Sequence, residues 1–301
     1  MKNSEIVEKI KELKEKHQAV ILAHNYQIGE VQDVADFVGD SLELSQQAAE
    51  LDADVIIFCG VHFMAESAAI LSPEKTILMP AIDAGCPMAD MITGAELKEW
   101  KNQYPGRKVV CYVNTSAEVK AECDICCTSS NALKVVESVE GEEILFAPDK
   151  NLAAYVARFS KKKIIPWDGY CYVHHNIIAK DVREKKEQFP EAEVWVHPEC
   201  RPEVIDLADK VLSTGKMVKE ARITKKTDVL IGTEAGIIHR LKKENPKKNF
   251  HPVKELALCS NMKKINLRKV LRSLEEMKYR MEVPLDISRR ARGAIEKMVR
   301  I

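Results

Sequence analysis

The segment Gly85-Cys86-Pro87-Met88 introduces a pattern that recurs along the whole chain. Its cysteine follows a short apolar run at 76–79 and a proline, and cysteines in similar surroundings recur at Cys171 and Cys259. The intervals from 86 to 171 and from 171 to 259 are 85 and 88 residues. Core packing alone would not place one cysteine at the same point of each interval. The pattern therefore indicates a threefold repeat whose cysteines share a role.

Polar residues keep the same interval as the cysteines. Asn25 and Asn114 are 89 residues apart, Ser41 and Ser129 are 88 apart, and Ser129 and Thr214 are 85 apart. Short apolar runs and helical patterns alternate between these points, which is typical of parallel sheets covered by helices on both faces. A repeat of this length is a small domain rather than a solenoid unit.

We therefore predict an α/β fold of three similar three-layer αβα domains, each with a roughly four-stranded parallel sheet, arranged with pseudo-threefold symmetry around a central active site. The predicted domains span 1–90, 91–175 and 176–264, and a C-terminal helical tail, 265–301, packs on the core. One continuous doubly wound sheet is the alternative. Strands are predicted at 20–23, 36–38, 55–58, 76–79, 109–113, 124–127, 144–147, 163–165, 193–196, 210–212 and 229–231.

The composition excludes several classes of protein. The 301 residues are 46% apolar and 31% charged, which is typical of globular proteins with substantial cores. The formal net charge is zero, which argues against nucleic acid or an anionic membrane as a partner. No apolar run approaches the roughly 18 residues of a membrane span.

The cysteine count and the N-terminus bear on the cellular compartment. The chain has nine cysteines, and an odd number in a chain of this size argues against a disulfide scaffold. The first residues predict a charged amphipathic helix, 4–16, rather than a signal or transit peptide. We therefore expect a cytoplasmic protein with reduced cysteines.

Ligands of open parallel sheets bind beyond the carboxyl ends of the strands, and polar residues collect at these points of the chain. Glu199 is a candidate general base, and Tyr26 and Tyr112 are candidate proton donors. The other polar residues there are His24, Asn25, Ser41, Asn114, Ser129, His197 and Thr214, and His174 and His175 follow the second repeated cysteine. Hydroxyls at helix starts either bind a carboxylate or phosphate or cap the helix. Glu234 and His239 suit ion pairing or capping at least as well as a functional role.

Three converging thiolates suit a soft metal centre. An iron–sulfur cluster usually takes four cysteines, so three would leave one iron open to water or substrate. Zinc on the same three thiolates is the competing interpretation. Three buried structural cysteines are the simplest alternative, because unpaired cysteine behaves as a small apolar residue.

A rival metal site is the C-x-x-C sequence at 123–126, which is followed by Cys127. It has no second C-x-x-C partner, and the equivalent positions of the other repeats are apolar. We therefore predict that these cysteines belong to the core, as do Cys59 and Cys111. Cys200 is left open, because it lies near Glu199 but does not keep the repeat interval.

Ten short motifs lie in order along residues 20–264. They are AHNYQ (23–27), ADFVGDSL (35–42), FMAE (63–66), CPMA (86–89), YVNT (112–115), CTSSNA (127–132), HPEC (197–200), STG (213–215), GTE (232–234) and NMKK (261–264). Together they resemble the quinolinate synthase family, and their number and matching order make the resemblance highly specific.

The resemblance implies an enzyme of NAD biosynthesis that condenses iminoaspartate with dihydroxyacetone phosphate and forms quinolinate, phosphate and water. It implies three α/β domains around a [4Fe–4S] cluster held by Cys86, Cys171 and Cys259, whose open iron acts as a Lewis acid in dehydration. L-aspartate oxidase or aspartate dehydrogenase is the expected supplier of iminoaspartate.

The resemblance also implies roles for individual residues. Those expected to contact the dicarboxylate are His24, Ser41, Tyr112, Asn114, Ser129, His197, Glu199 and Thr214. We add His174 to this set because it follows Cys171 closely. Tyr26 and Glu199 are the predicted proton-transfer residues, and Tyr112 and His197 are further catalytic candidates.

The chain departs from some relatives near the third cysteine, where residues 259–262 lack the C-x-x-C-x-x-C that would allow a local disulfide switch. The segment 167–174 around the second cysteine matches the family only loosely. Two alternatives to the synthase stay open: a zinc-dependent lyase on the same scaffold, and an iron–sulfur redox or iron sensor. The sensor lacks support from a helix-turn-helix or a basic surface.

Overall fold

The computed structural model describes residues 2–301 and contains three separate sheets, each with four parallel strands. In every sheet the first strand of the unit lies between the second and the third, and the fourth lies at the edge. The predicted α/β fold of three similar units is confirmed, and the alternative of one continuous sheet is wrong. Among the described residues, no helix combines the length and the apolar character needed to cross a membrane.

The first unit alternates helices and strands from its beginning. Its elements are α1 (Asn3–His17), β1 (Ala19–His24), α2 (Gly29–Val34), β2 (Phe37–Gly39), α3 (Ser41–Glu50), β3 (Val55–Cys59), α4 (His62–Leu71) and β4 (Thr76–Leu78), followed by a 3-10 helix at Ala89–Met91. The strand order is β2-β1-β3-β4. Every residue of β3 is buried, because a central parallel strand contacts helices on both faces and needs an unbroken apolar run.

The second unit repeats this plan with the strand order β6-β5-β7-β8. Its elements are α5 (Gly94–Gln103), β5 (Lys108–Tyr112), α6 (Ala117–Glu122), β6 (Ile125–Cys127), α7 (Ala132–Ser138), β7 (Glu143–Ala147), α8 (Lys150–Ala157) and β8 (Lys163–Pro166). Thr93 accepts a hydrogen bond from the Glu96 N–H and begins α5 with a capping box.

The third unit has the strand order β10-β9-β11-β12. Its elements are α9 (Tyr172–His175), α10 (Ala179–Gln188), β9 (Glu193–Val196), α11 (Pro202–Ile205), β10 (Lys210–Val211), α12 (Thr214–Ile223), β11 (Asp228–Gly232), α13 (Ile237–Glu244) and β12 (Asn249–Pro252). The domain boundaries placed after residues 90, 175 and 264 stay predictions.

Two further helices follow a 3-10 helix at Met262–Lys264: α14 (Leu267–Glu276) and α15 (Leu285–Arg300). α14 packs against α1, whereas α15 packs against α4, α6 and β6. Val270 and Leu274 of α14 and Ile295 and Met298 of α15 are buried in the core that the first two units share. The C-terminal helices therefore connect the first unit to the second.

Some helices have no counterpart among the elements predicted from the sequence. The longest is α12, and α6, α9 and α11 are short. α12 begins where the Ser213 hydroxyl accepts a hydrogen bond from the Lys216 N–H. Its buried residues Met217, Val218 and Ala221 form a stripe too short to stand out among charged neighbours.

Side-chain hydrogen bonds join the three units in pairs near the ends of their first and second strands. They connect Asn25 Nδ2 with Thr214 Oγ1 (3.0 Å), Ser130 Oγ with Asp40 Oδ2 (2.7 Å), and the Tyr112 hydroxyl with Glu199 Oε1. The first bond links units one and three, the second links one and two, and the third links two and three. The C-terminal ends of the three sheets therefore face a common centre.

Candidate functional site

A cavity lies at this centre and is lined by residues from all three units. All thirteen residues predicted to form the site line it. They are His24, Tyr26, Ser41, Cys86, Tyr112, Asn114, Ser129, Cys171, His174, His197, Glu199, Thr214 and Cys259. Their placement is a property of the structure, whereas their roles in binding and catalysis stay predictions.

Three of the lining residues are cysteines, one from the loop after the fourth strand of each unit. Cys86, Cys171 and Cys259 are free and partly exposed. Burial raises the pKa of the Cys86 thiol to about 12 and raises the pKa of the Cys171 and Cys259 thiols. The three thiols are therefore neutral in the metal-free chain, and metal binding would release their protons.

A second possible donor set shares one of these cysteines. One ligand atom each from Cys171, His174 and Glu199 lies within 4.8 Å of the other two, and no other such group of three exists among residues 2–301. Sulfur, imidazole nitrogen and carboxylate oxygen are all ligands of zinc in proteins. The cavity therefore offers two overlapping donor sets, of which only one uses all three thiols.

Glu199 is buried between donors from two units. The Tyr112 hydroxyl donates to Oε1, and His174 Nδ1 lies 2.7 Å from Oε2. Burial alone would raise the pKa of the Glu199 carboxyl, but His174, His197 and the hydrogen bond from Tyr112 lower it to about 2. Glu199 is therefore an ionised carboxylate at neutral pH, held in one orientation.

His24 and His197 occupy matching places at the ends of β1 and β9. Nδ1 of His24 accepts the Tyr26 N–H (3.1 Å), and Nδ1 of His197 accepts the Glu199 N–H (3.3 Å). Burial lowers the pKa of both rings to about 3, with the charge of Lys263 contributing at His24. Each ring is therefore neutral, its proton is on Nε2, and it can donate a hydrogen bond in the cavity.

A chain of hydrogen bonds connects Tyr26 to Glu199. The Tyr26 hydroxyl is 2.7 Å from Thr233 Oγ1, which is 2.8 Å from His174 Nε2. His174 in turn contacts Glu199 through Nδ1 and stacks on His197 with ring centroids 4.5 Å apart. Burial and the charge of Glu199 raise the pKa of the Tyr26 phenol, which stays protonated. Thr233 was not among the predicted site residues, although it lies within the GTE motif.

Two hydroxyls line the cavity at the starts of long helices. Ser41 and Thr214 are the first residues of α3 and α12. The caps of these helices are the preceding residues, Asp40 and Ser213, whose side chains accept the free N–H groups. The interpretation of Ser41 and Thr214 as caps is therefore wrong, and both hydroxyls stand at the positive ends of helix dipoles, where anions are favoured.

Other candidates lie outside the cavity. His175 packs on Tyr170, with ring centroids 4.3 Å apart, and His239 Nε2 is 3.0 Å from Asp33 Oδ1 at the surface. Cys200 is buried and donates from Sγ to the Gly232 carbonyl (3.4 Å). None of these three residues lines the cavity.

The C-x-x-C sequence is part of the second unit's core, as predicted. Cys126 and Cys127 are fully buried in β6, and Cys111 and Cys59 are fully buried in β5 and β3. Cys123 lies beside them, with its Sγ 3.7 Å from that of Cys126. None of these cysteines reaches the cavity.

The cavity also contains residues for which the sequence predicted no functional role, although several of them lie in the FMAE, CPMA and NMKK motifs. Its apolar lining includes Val61, Phe63, Met64, Met88, Val173 and Met262. Glu234, which the sequence left undecided, is buried at the cavity and pairs with Lys263 (2.8 Å). Apolar residues after strands carry no chemical pattern, so only their position in the fold identifies them.

Comparisons with known proteins show sequence similarity along nearly the whole chain. A family model described as "Quinolinate synthetase A protein" matches residues 8–300. A quinolinate synthase of Dehalococcoides mccartyi is 59% identical over 296 residues, covering 98% of both chains. Those of Methanosarcina barkeri and Thermodesulfovibrio yellowstonii are each 54% identical, over 301 and 294 residues that cover at least 97% of both chains.

Proposed function

The chain belongs to the quinolinate synthetase A protein family, and on this premise we propose that it condenses iminoaspartate with dihydroxyacetone phosphate to form quinolinate, phosphate and water. It is a biosynthetic enzyme, as its relatives' names state, and the product belongs to NAD biosynthesis. We place it in the cytoplasm, with iminoaspartate supplied by L-aspartate oxidase or aspartate dehydrogenase.

The cofactor in this proposal is a [4Fe–4S] cluster held by Cys86, Cys171 and Cys259. The observation that carries the proposal is that three free thiols, one from each unit, line the same cavity as the polar groups. The donor chemistry fits, because thiolates are the usual ligands of such clusters. When bound, a cluster with three protein ligands supplies a Lewis-acidic iron for dehydration.

The chain's own residues bind the anionic substrates. Ser41 and Thr214 present hydroxyls at the positive ends of α3 and α12, where a carboxylate or phosphate is favoured. His24 and His197 each present an Nε2–H, because Nδ1 is already engaged with the backbone. These neutral donors orient an anion without the cost of burying a full positive charge.

Proton transfer is assigned to buried groups that come from all three units and face the same cavity. Glu199 is ionised, accepts from Tyr112 at Oε1 and lies beside His174 at Oε2, so it can take a proton from the substrate. Tyr26 and Tyr112 keep their protons and can donate them to oxygen atoms of the substrate. His174 and Thr233 connect Tyr26 with Glu199, which lets a proton return along the chain of hydrogen bonds.

A zinc enzyme is the second candidate, because Cys171, His174 and Glu199 form a compact donor set. Purification without air followed by iron, acid-labile sulfide and zinc analysis separates the two. The proposal expects about four irons and four sulfides per chain and a brown colour. A colourless protein with one zinc per chain would instead support the second candidate.

A direct assay then tests the reaction. The iron-loaded protein is mixed with dihydroxyacetone phosphate and iminoaspartate generated in the same vessel, and quinolinate is measured by mass spectrometry. Omission of either substrate is the control. An iron-loaded protein that forms no quinolinate would contradict the proposed reaction while leaving the cofactor assignment intact.

A further inference from the structure

The three loops that carry the cavity cysteines have matching backbones. A carbonyl two residues before each cysteine accepts an N–H from the segment after the third strand of the same unit. These bonds are His62 N–H to Ala84 O (2.8 Å), Lys150 N–H to Gly169 O (2.8 Å) and Ala235 N–H to Ala257 O (2.9 Å). Each cysteine carbonyl also accepts the N–H of the residue four positions later, at 3.2, 2.8 and 3.2 Å. The three loops are therefore equivalent on both sides of the cysteine.

This equivalence places Val61, Asp149 and Glu234 at the same point of the three units, directly before His62, Lys150 and Ala235. All three side chains are buried, with exposed fractions of 3%, 0% and 0%. Two are carboxylates and one is apolar, so the units differ in chemistry at a position where their backbones agree.

Asp149 uses its two oxygens for two different segments. Oδ1 accepts the Leu152 N–H (2.7 Å) and begins α8. Oδ2 accepts the Cys171 N–H (3.0 Å). One rigid carboxylate therefore ties the cysteine loop to the start of a helix in the second unit.

Glu234 makes the corresponding contact in the third unit. Oε1 accepts the Cys259 N–H (3.0 Å) and lies 2.8 Å from the Lys263 ammonium, while Oε2 accepts the Gly236 N–H (2.7 Å). The Lys263 ammonium also donates to the carbonyl of Tyr26 in the first unit. Glu234 therefore holds its cysteine loop through a network that reaches across the cavity.

The first unit has no equivalent anchor. Val61 has no acceptor atom in its side chain, and among residues 2–301 the Cys86 N–H has no hydrogen-bond partner. We propose that Asp149 and Glu234 are positioning residues that fix the Cys171 and Cys259 loops, and that Cys86 is the least constrained of the three cysteines. If the three thiols hold a cluster, as proposed above, the ligand at Cys86 is the first to be released.

The experiment measures the alkylation rate of each cavity cysteine in the metal-free protein. Short exposures to iodoacetamide without air, followed by peptide mass spectrometry, give three separate rates. Asp149→Asn replaces one acceptor oxygen with an amide donor, so we expect the Cys171 rate to rise about tenfold, the equivalent of about one hydrogen bond, with Cys86 and Cys259 unchanged. Glu234→Gln should raise the Cys259 rate in the same selective way.

Matched controls come from exposed carboxylates of the same two segments. Asp168→Asn removes a surface ion pair with Lys150, and Glu255→Gln removes one with Lys185. Both should leave the three rates unchanged. An equal rise at all three cysteines in Asp149→Asn or Glu234→Gln, or no rise at the anchored cysteine, overturns the proposal.

A third variant adds the missing acceptor to the first unit. It can be measured even if Asp149→Asn and Glu234→Gln fail to fold. Val61 is the residue before α4, where aspartate is a favoured cap, so Val61→Asp places an acceptor at the position of Asp149 and Glu234. We expect slower alkylation of Cys86 alone, and an unchanged or faster rate contradicts the proposal.

The iron-loaded protein provides a second readout. A ferrous chelator should bleach the visible absorbance of Asp149→Asn and Glu234→Gln faster than that of the wild type. Unchanged bleaching would contradict the role of the anchors in holding the cluster. If the chain takes up no iron, the cofactor assignment fails, whereas the alkylation rates still decide the positioning role.

Discussion

Two groups of cysteines in this molecule differ in what surrounds their sulfur atoms. The cavity cysteines are Cys86, Cys171 and Cys259, and the second-sheet cysteines are Cys111, Cys123, Cys126 and Cys127. Members of the second group are close in sequence and in space, with two sulfur atoms 3.7 Å apart, yet they pack among apolar side chains. Members of the first are far apart in sequence and line one cavity beside histidines, tyrosines and a carboxylate. If the cavity cysteines hold the proposed cluster, local spacing is a poorer sign of a metal site than a shared position at one cavity.

The largest expected effect is loss of the cofactor. Serine at any one of the cavity cysteines should abolish cluster binding and quinolinate formation, because in the proposed site each thiolate is one of only three protein ligands. Iron and sulfide analysis and the visible spectrum measure the result. Cys126→Ser is the control and should keep both cluster and activity. Loss of the cluster in that control would reverse the comparison between the two groups.

The polar surroundings of the cavity cysteines are tested next. Glu199→Gln removes the ionised carboxylate and should lower kcat by about 10²- to 10⁴-fold, the usual contribution of a general base. Steady-state kinetics on iron-loaded protein measures this, and cluster content should stay at the wild-type level. Glu255→Gln, a change at an exposed carboxylate, should have no effect. A Glu199→Gln variant with normal kcat would remove Glu199 from the proton-transfer scheme.

The buried histidines beside the cavity cysteines predict a pH dependence of stability. The folded-state pKa of His24 and of His197 is about 3, below the ordinary value of 6.5. The unfolded chain therefore binds more protons between these values, and stability decreases as the pH falls below about 6.5. Each histidine should remove about 1.6 kcal/mol from the free energy of unfolding between pH 6.5 and pH 5.

Urea unfolding of the metal-free protein at several pH values measures this decrease. His197→Asn should make it shallower, whereas a substitution at the half-exposed His62 should not. If His197→Asn shows the same slope as the wild type, the ring is not held neutral in the folded state.

The smallest effect concerns packing. Cys126→Ser places a hydroxyl in an apolar, fully buried position and should lower the free energy of unfolding by about 1–3 kcal/mol. Cys86→Ser, in a partly exposed loop, should change it by less than about 0.5 kcal/mol. Urea unfolding of both metal-free variants gives the comparison, and equal losses would mean that the two groups are packed alike.

Much of the candidate site was predictable because polar residues stand at a fixed point after each strand. A parallel sheet brings the ends of its strands to one edge, so the interval between Ser41, Ser129 and Thr214 already implied a shared location. The apolar run at 55–59 and the interval between the repeated cysteines indicated the sheets and their number. These signals lie within short segments of the chain, and they can be recognised because each unit repeats them.

Other features could not be predicted, for physical reasons that differ from one residue to the next. α12 was missed because a short apolar stripe among charged residues resembles a loop. Ser41 and Thr214 were left open as caps because a hydroxyl at a helix start is ambiguous until its hydrogen bonds are known. The contact of Asp149 could not be predicted, because its partner, the Cys171 N–H, is a backbone group on another loop.

The sequence by itself determined the threefold repeat, the strand ends and the set of residues that face the centre, since periodicity and spacing act within each unit. Only the tertiary structure decided which of these residues touch. Tyr112 reaches Glu199 across 87 residues, and His174 lies between Glu199 and Thr233, because the units pack with their strand ends together. Contacts between units depend on how whole units pack together, so they cannot be predicted from short sequence patterns.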